Sequence, residues 1–193
     1  IMKFLFCNIG WMEHYEGLKK KDRIVGGGAY VTEHGIGHEV CNFSPIGRNC
    51  YGYVQFFGDR ISLKRIGAKP SEDRVHGITV VWTAKRPSGG RVIVGWYKNA
   101  TVFREFQEIP KPSTVHKRNK IQYFLVKAPA DQIELLPIDQ RTFEIPRGPG
   151  YPGRQNIWYA DNPKSEELKK RVESLISGKL VISPVKIAGK QKQ

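Results

Sequence analysis

The sequence predicts an α+β domain, a curved, mostly antiparallel sheet or small β-barrel with a few flanking helices. Three observations lead there. Segments rich in β-branched and aromatic residues are short and separated by Gly, Pro and Asn, as strands are. One amphipathic helical repeat stands near the end, over 164–176. The 193 residues are 39% hydrophobic and 26% charged, which suits one folded core and not a disordered chain. No apolar run approaches the roughly 20 residues of a membrane span. The opening Ile1-Met2-Lys3-Phe4-Leu5-Phe6-Cys7 is too short for a signal peptide. Three cysteines (Cys7, Cys41, Cys50) without a CxxC fit a reducing, cytoplasmic setting better than a disulfide framework.

Taken in order, Lys3 to Ile9 is an apolar run suited to a buried strand. Gly10 to Leu18 has the spacing of one or two helical turns, with Trp11, Tyr15 and Leu18 on one face. Lys19 to Gly37 is loop-like around Gly26-Gly27-Gly28, and no helix or Lys-Ser/Thr follows to make a phosphate cradle. Glu39 to Phe43 and Tyr51 to Phe57 are expected to pair about a turn at 44–49. Ile78 to Thr83 and Arg91 to Tyr97 form a hairpin through Pro87-Ser88-Gly89-Gly90, and Lys98-Asn99 is expected to turn the chain into a third strand, Thr101 to Phe106. Ile109 to Lys120 is a Pro- and Lys-rich connection. Ile121 to Val126 is another strand, with shorter candidates at 130–136 and 140–145. Arg147 to Arg154 alternates Gly and Pro and is irregular. Asn162-Pro163 opens the helix Lys164 to Ile176, acidic in its first turn, with Leu168, Val172, Leu175 and Ile176 on one face and Gly178 beyond its end. Residues 1–183 read as a single domain and 184–193 as a basic tail or linker.

Thirty-two Lys and Arg against eighteen Asp and Glu give a net charge of +14, which points to a polyanion partner. The charge is dispersed over a folded domain rather than piled in a tail, so a shaped groove is expected. Arg86, Lys117, Arg118, Lys120, Arg147 and Arg154 lie in loop-like segments and are candidates for phosphate contacts. No GxSxG, GxxxxGK[ST] or HExxH is present. His34, His38, Cys41 and Cys50 have ligand types that tetrahedral zinc could use, but Cys41 and Cys50 fall in strand-like segments. Four Trp and eight Tyr are numerous, and several stand beside Gly or Asn: Trp11, Tyr30, Tyr53, Trp96 with Tyr97, and Trp158 with Tyr159. Glycine beside a ring lets a flat ligand approach it, and a nucleobase is flat. Core packing is the competing use of each ring.

Several of these motifs occur together in one order. Phe4-Leu5-Phe6-Cys7-Asn8-Ile9-Gly10-Trp11-Met12, His38-Glu39-Val40-Cys41-Asn42-Phe43, Gly52-Tyr53, Val94 to Val102, and Arg147-Gly148 through Asn156-Ile157-Trp158-Tyr159 resemble the amino-terminal domain of HNH-type and McrBC-type modification-dependent restriction systems. More distantly, the order resembles the YTH, EVE and PUA-like readers of modified bases, with 19–72 an insertion relative to a minimal YTH-like core. The resemblance implies a YTH/EVE/PUA-like fold and a non-catalytic domain that binds methylated double-stranded DNA. It also implies a flipped base held in an aromatic cage, with N6-methyladenine first and 5-methylcytosine or 5-hydroxymethylcytosine second. Asn8 matches the Asn that bonds the base edge and Trp11 the ring after it. Trp96 and Tyr97, with Tyr30 or Tyr53, would complete the walls. It implies no cofactor or metal, and cleavage by a fused or separate GTPase or nuclease. Two other readings stand beside it. One is an RNA-binding reader of a modified or unstacked base. The other is a metal-dependent nuclease, which needs clustered carboxylates such as Glu13 with Glu16 or Asp131 with Glu134.

Overall fold

A computed structural model of the chain describes residues 2–26 and 37–184. Seven strands form one mixed sheet in the order β2-β5-β4-β3-β1-β7, with β6 paired to β4 off that path. The sheet is open, with β2 and β7 at its edges, so the barrel alternative is not realised. The strands are β1 (Lys3–Ile9), β2 (Asn49–Gly52), β3 (Arg74–Lys85), β4 (Arg91–Glu108), β5 (Tyr123–Pro129), β6 (Ile133–Leu135) and β7 (Ile157–Trp158). Among the described residues two α-helices, α1 (Thr114–Arg118) and α2 (Glu166–Ile176), flank them. Every pairing is antiparallel except β1 with β3.

That parallel pair organises the interior. β1 lies between β3 and β7, and successive side chains alternate between two cores because a strand has period two. Leu5, Cys7 and Ile9 face the larger core, with Val80, Trp82, Tyr97 and Leu125. Phe4 and Phe6 face the smaller one, with Val81, Ile93, Trp96 and the apolar face of α2. That helical face is Leu168, Val172, Leu175 and Ile176, and the helix ends before Gly178 at φ 72°. Its first turn is a 3-10 segment, Pro163–Ser165, where the Asn162 side chain accepts from Lys164 N at 2.9 Å.

Several local expectations are corrected. Gly10 to Leu18 is not helical: Trp11 bridges Val25, and the Asp22 carboxylate accepts from Glu13 N and His14 N at 2.8 and 2.9 Å. An acceptor aimed at consecutive N–H groups replaces the helical bonds. Glu39 to Phe43 is a 3-10 turn (His38–Cys41) rather than a strand, and β2 pairs with β5 instead. Lys98-Asn99 does not turn the chain. β4 runs 18 residues through it, and Asn99 takes φ 50° where the β3–β4 register is irregular. β6 pairs with the first half of this strand and β5 with the second, so the bend at Asn99 distributes β4 between two neighbours. The 109–120 connection contains α1, capped by Ser113, which accepts from His116 N. The segment 140–145 contributes only the isolated bridge Val92–Glu144. Within the 19–72 segment, Val40, Cys41, Cys50, Val54 and Leu63 are buried in the larger core, all 1% exposed or less. The 184–193 tail lies, beyond Pro184, outside the described residues.

The glycines beside aromatic residues admit protein atoms. A Cβ at Gly52 would stand 2.5 Å from the Trp82 ring, and one at Gly95 would stand 2.2 Å from the Glu134 carbonyl of β6. Both are close approaches of core or backbone rather than ligand entrances.

Among the described residues one cation, Arg141, is fully enclosed. Arg141 donates to the carbonyls of Leu136, Met12 and Glu13 at 2.8, 2.6 and 2.5 Å, and its guanidinium lies 5.0 Å from the Trp11 ring centre. It joins the end of β1 to the segment after β6. Arg141→Met strands three carbonyl acceptors and is expected to lower unfolding stability by about 3 kcal/mol, read by urea titration. His116 is equally enclosed: Nδ1 meets Ser113 Oγ at 2.8 Å, and Nε2 has no hydrogen-bond partner among the described residues. Burial lowers its pKa from the ordinary 6.5. The folded state therefore refuses a proton that the unfolded chain accepts. Its stability contribution is complete above 6.5 and is lost as pH falls through that value toward the lower folded one. In His116→Gln the decline of the urea midpoint across this interval is expected to be shallower.

Candidate nucleic-acid interface

The face of the sheet that carries α2 changes character along the strands. On β1, Phe4 and Phe6 are followed at the next same-face position by Asn8. On β3, Val81 is followed by Thr83 and Lys85, and on β4, Ile93 is preceded by Arg91. The register sets Asn8 opposite Thr83 and Lys85 opposite Arg91, so the polar residues form one end of this face. α2 packs on the apolar end, and the Arg147–Arg154 segment walls the polar end.

A cleft of about 480 Å³ results, lined by Lys85, Arg91, Arg147 and Arg154 together with Gly, Pro and Ile, and by no carboxylate. Its size falls within the ordinary range of ligand sites. Adjoining it, and sharing Arg91, Ile145 and Pro152, is a recess bordered by Phe6, Asn8, Thr83, Asn156 and Trp158. The recess encloses only about 10 Å³, room for one water, so a larger occupant requires its lining to move.

The recess residues are held by the β1–β7 pairing. Asn8 N donates to Asn156 O at 2.7 Å, and Asn8 Nδ2 donates to Asn156 Oδ1 at 3.3 Å. Thr83 Oγ1 reaches Cys7 O and Asn8 Oδ1 at 3.4 and 3.5 Å. Asn156 Nδ2 donates onward to Gln55 O at 3.0 Å. After these bonds the Asn8 amide keeps one N–H and lone-pair capacity on Oδ1. Trp158 is half-buried, its ring centre 4.8 Å from Phe6 and 6.4 Å from Tyr151.

The charges here are poorly neutralised. Arg91 donates to Gly153 O at 3.3 Å, and neither it nor Arg147 or Arg154 has an ion pair among the described residues. Burial first, then the neighbouring Arg147 guanidinium, lower the Arg91 pKa from its usual value. Clustered cations with no carboxylate among them favour an anion.

The sequence-predicted residues fall into separate places. Asn8, Arg147 and Arg154 come together here. Arg86 is adjacent but ion-paired to Glu144, with its Nε donating to Gly89 O at 3.0 Å. Lys117, Arg118 and Lys120 belong to α1 and its end. That helix packs through Val115 on the larger core, on the opposite side of the sheet, so those three cannot share the cleft. Trp11 packs on the larger core beneath Arg141 and does not border the recess. Trp96 (6% exposed) and Tyr97 (0%) are adjacent on one strand and point to opposite cores, so they cannot wall a common pocket. Tyr97 is edge-on to Trp82 and hydrogen-bonded to Asn42 O. Tyr53 is buried against Phe106, ring centres 4.7 Å apart. Tyr30 and His34 lie outside the described residues, as do Gly27 and Gly28. Among the described residues no three metal-type ligands gather, and Cys41 and Cys50 are buried thiols whose pKa values burial raises to about 12 and about 11. Glu13, Glu16, Asp131 and Glu134 assemble no cluster of that kind either.

Thr83, Lys85, Arg91, Asn156 and Trp158 were not selected as site residues from sequence. Asn156-Ile157-Trp158-Tyr159 carried a signal, rings beside an amide, but only the pairing of Phe6 with Trp158 shows which ring meets Asn8. The chain matches no family model, no curated protein and no solved structure.

An unneutralised cleft should be stabilised by anions. Added sulfate is expected to raise the melting temperature of the wild type more than that of Arg91→Gln/Arg147→Gln, measured by differential scanning fluorimetry at low ionic strength.

Proposed function

We propose that this chain is a non-catalytic DNA-binding domain that reads a methylated base, N6-methyladenine in first place, turned out of the duplex into the cleft beside Asn8 and Trp158. The observation that carries this reading is a cleft lined by four cations and no acid that shares Arg91, Ile145 and Pro152 with a small recess. That recess holds an incompletely bonded Asn amide next to a half-buried Trp.

Each part has a physical task. Lys85, Arg147 and Arg154 meet phosphates in the cleft; such contacts supply affinity and register without reading sequence. Turning a base out costs a few kcal/mol. Stacking on Trp158 offsets about 1–3 kcal/mol of that. Asn8 offers one N–H donor beside one oxygen acceptor, the complement of the adenine edge, where an amino N–H neighbours a ring nitrogen acceptor. An N6-methylated adenine retains one amino hydrogen and so keeps this pairing. The methyl group contributes about 0.8 kcal/mol when buried, about fourfold in affinity, and only within a closed wall. Phe6, Ile145 and Pro152 provide apolar wall at the recess. Cleavage then belongs to a fused or separate GTPase or nuclease; the domain supplies the address. The methyl mark, the preference among bases and the GTPase or nuclease partner rest on the resemblance to readers of modified DNA.

The test is a fluorescence-anisotropy titration with short duplexes of one sequence, unmodified or carrying one N6-methyladenine, 5-methylcytosine or 5-hydroxymethylcytosine. The wild type is expected to favour the N6-methyladenine duplex by at least about fourfold. Trp158→Leu and Asn8→Ala are expected to erase that preference and to keep the salt-dependent background binding. Equal wild-type affinity for all four duplexes overturns the reading.

A further inference from the structure

Phe57 is 94% exposed, the most exposed large hydrophobic side chain among the described residues. A single exposed ring is ordinary on a protein surface; this one is distinguished by its attachment. Asn8 bonds Asn156, Asn156 bonds the carbonyl of Gln55, and Phe57 follows two residues later. Two residues of extended chain span at most about 7 Å, so Phe57 is tethered close to the recess. Its base is firm. Phe56 packs on Phe106 with ring centres 4.9 Å apart, and Phe106 stacks on the buried Tyr53. Gly58, at φ 88°, turns the chain immediately after the exposed ring.

Behind Phe57 the surface is again grooved and basic. A groove of about 250 Å³ includes Phe57, Arg60, Gln155 and Asn156, the last two shared with the recess. It continues through Arg60, Ile61 and Ser62 into a second groove, of about 360 Å³, that adds Lys64 and Lys69. Arg60, Lys64 and Lys69 are exposed and have no ion pair among the described residues. Arg65, by contrast, is held by both Asp161 oxygens at 2.7 Å and lies over the Tyr159 ring, so it serves as wall.

We propose that Phe57 is a wedge that enters the base stack at the position the turned-out base leaves, and that Arg60, Lys64 and Lys69 take the phosphates of the same duplex beyond it. This deepens the base-reading assignment and rests on it. A base that leaves the stack exposes the faces of its neighbours. An apolar ring inserted there restores stacking contacts and opens the duplex toward the protein. The recess is bordered on one side by the Arg147–Arg154 cleft and on the other by the Phe57 groove, so one duplex could meet cations on both sides of a single extruded base.

The experiment compares wild type with Phe57→Ala on four short duplexes: methylated or plain at one adenine, each either fully paired or mismatched at that position. A mismatched base is already easier to extrude. A wedge predicts that Phe57→Ala weakens binding of the paired methylated duplex by about tenfold and of the mismatched one by much less. Equal weakening on both, or none on either, overturns the wedge. Because the side chain is solvent-exposed, loss of folding is not expected, and circular dichroism of the variant checks it. Arg60→Gln/Lys64→Gln/Lys69→Gln is expected to flatten the dependence of log affinity on log salt by about 0.9 for each phosphate contact removed. An unchanged slope overturns the groove assignment. If the wild type fails to separate methylated from plain duplexes, the base reading fails instead. The contrast between paired and mismatched DNA still decides the wedge.

Discussion

The placement of β1 between β3 and β7 is the constraint on which the rest of the molecule depends. A strand hydrogen-bonded on both edges and covered on both faces has its register fixed twice, by the ladder and by the alternation of its side chains. A slip of one residue would send Phe4 and Phe6 into the larger core and Leu5 and Cys7 under α2. With the register set, the two cores separate cleanly, and Asn8 becomes the first polar residue on the α2 face. The candidate recess is thus a by-product of where an apolar strand stops being apolar.

Polar groups inside the fold are handled in two ways. Arg141 is buried and satisfied by three carbonyls, and a cation so enclosed has little left to offer a ligand. Arg86, at the rim, is matched by Glu144. Among the described residues Lys85, Arg91, Arg147 and Arg154 of the cleft, and Arg60, Lys64 and Lys69 beyond Phe57, are not matched in this way. The +14 is thus unevenly matched by carboxylates, and Lys85, Arg91, Arg147 and Arg154 gather in one cleft that has none.

Legibility followed the range of the interactions involved. β1, the turn at Pro87-Ser88-Gly89-Gly90 and the α2 helix rest on hydrophobic period, turn chemistry and capping, all local, and the structure reproduces them with small shifts at their ends. Gly10 to Leu18 has helical spacing but answers to Asp22, whose carboxylate claims its N–H groups. Lys98-Asn99 has turn composition but sits between strands that both need β4 to continue. The site divides in the same manner. Arg147 and Arg154 stood out as basic residues at the ends of an irregular segment, and Asn8 through the resemblance to base readers. Trp96 and Tyr97 stood out for the glycine before them, but that glycine serves the approach of β6.

The sequence by itself determined that the chain is strand-rich and α+β, that it carries an excess of dispersed positive charge, and that rings and amides recur in its irregular segments. Those are properties of composition and short-range pattern, and they survive any arrangement of the strands. Which ring stands beside which amide, which cations lack a carboxylate and which side of the sheet they occupy were decided only by tertiary structure. They depend on Cys7 meeting Ile157 and Asn8 meeting Thr83, contacts between residues about 150 and 75 positions apart. Local periodicity carries no information about such pairings; the packing of two cores against one sheet selects them.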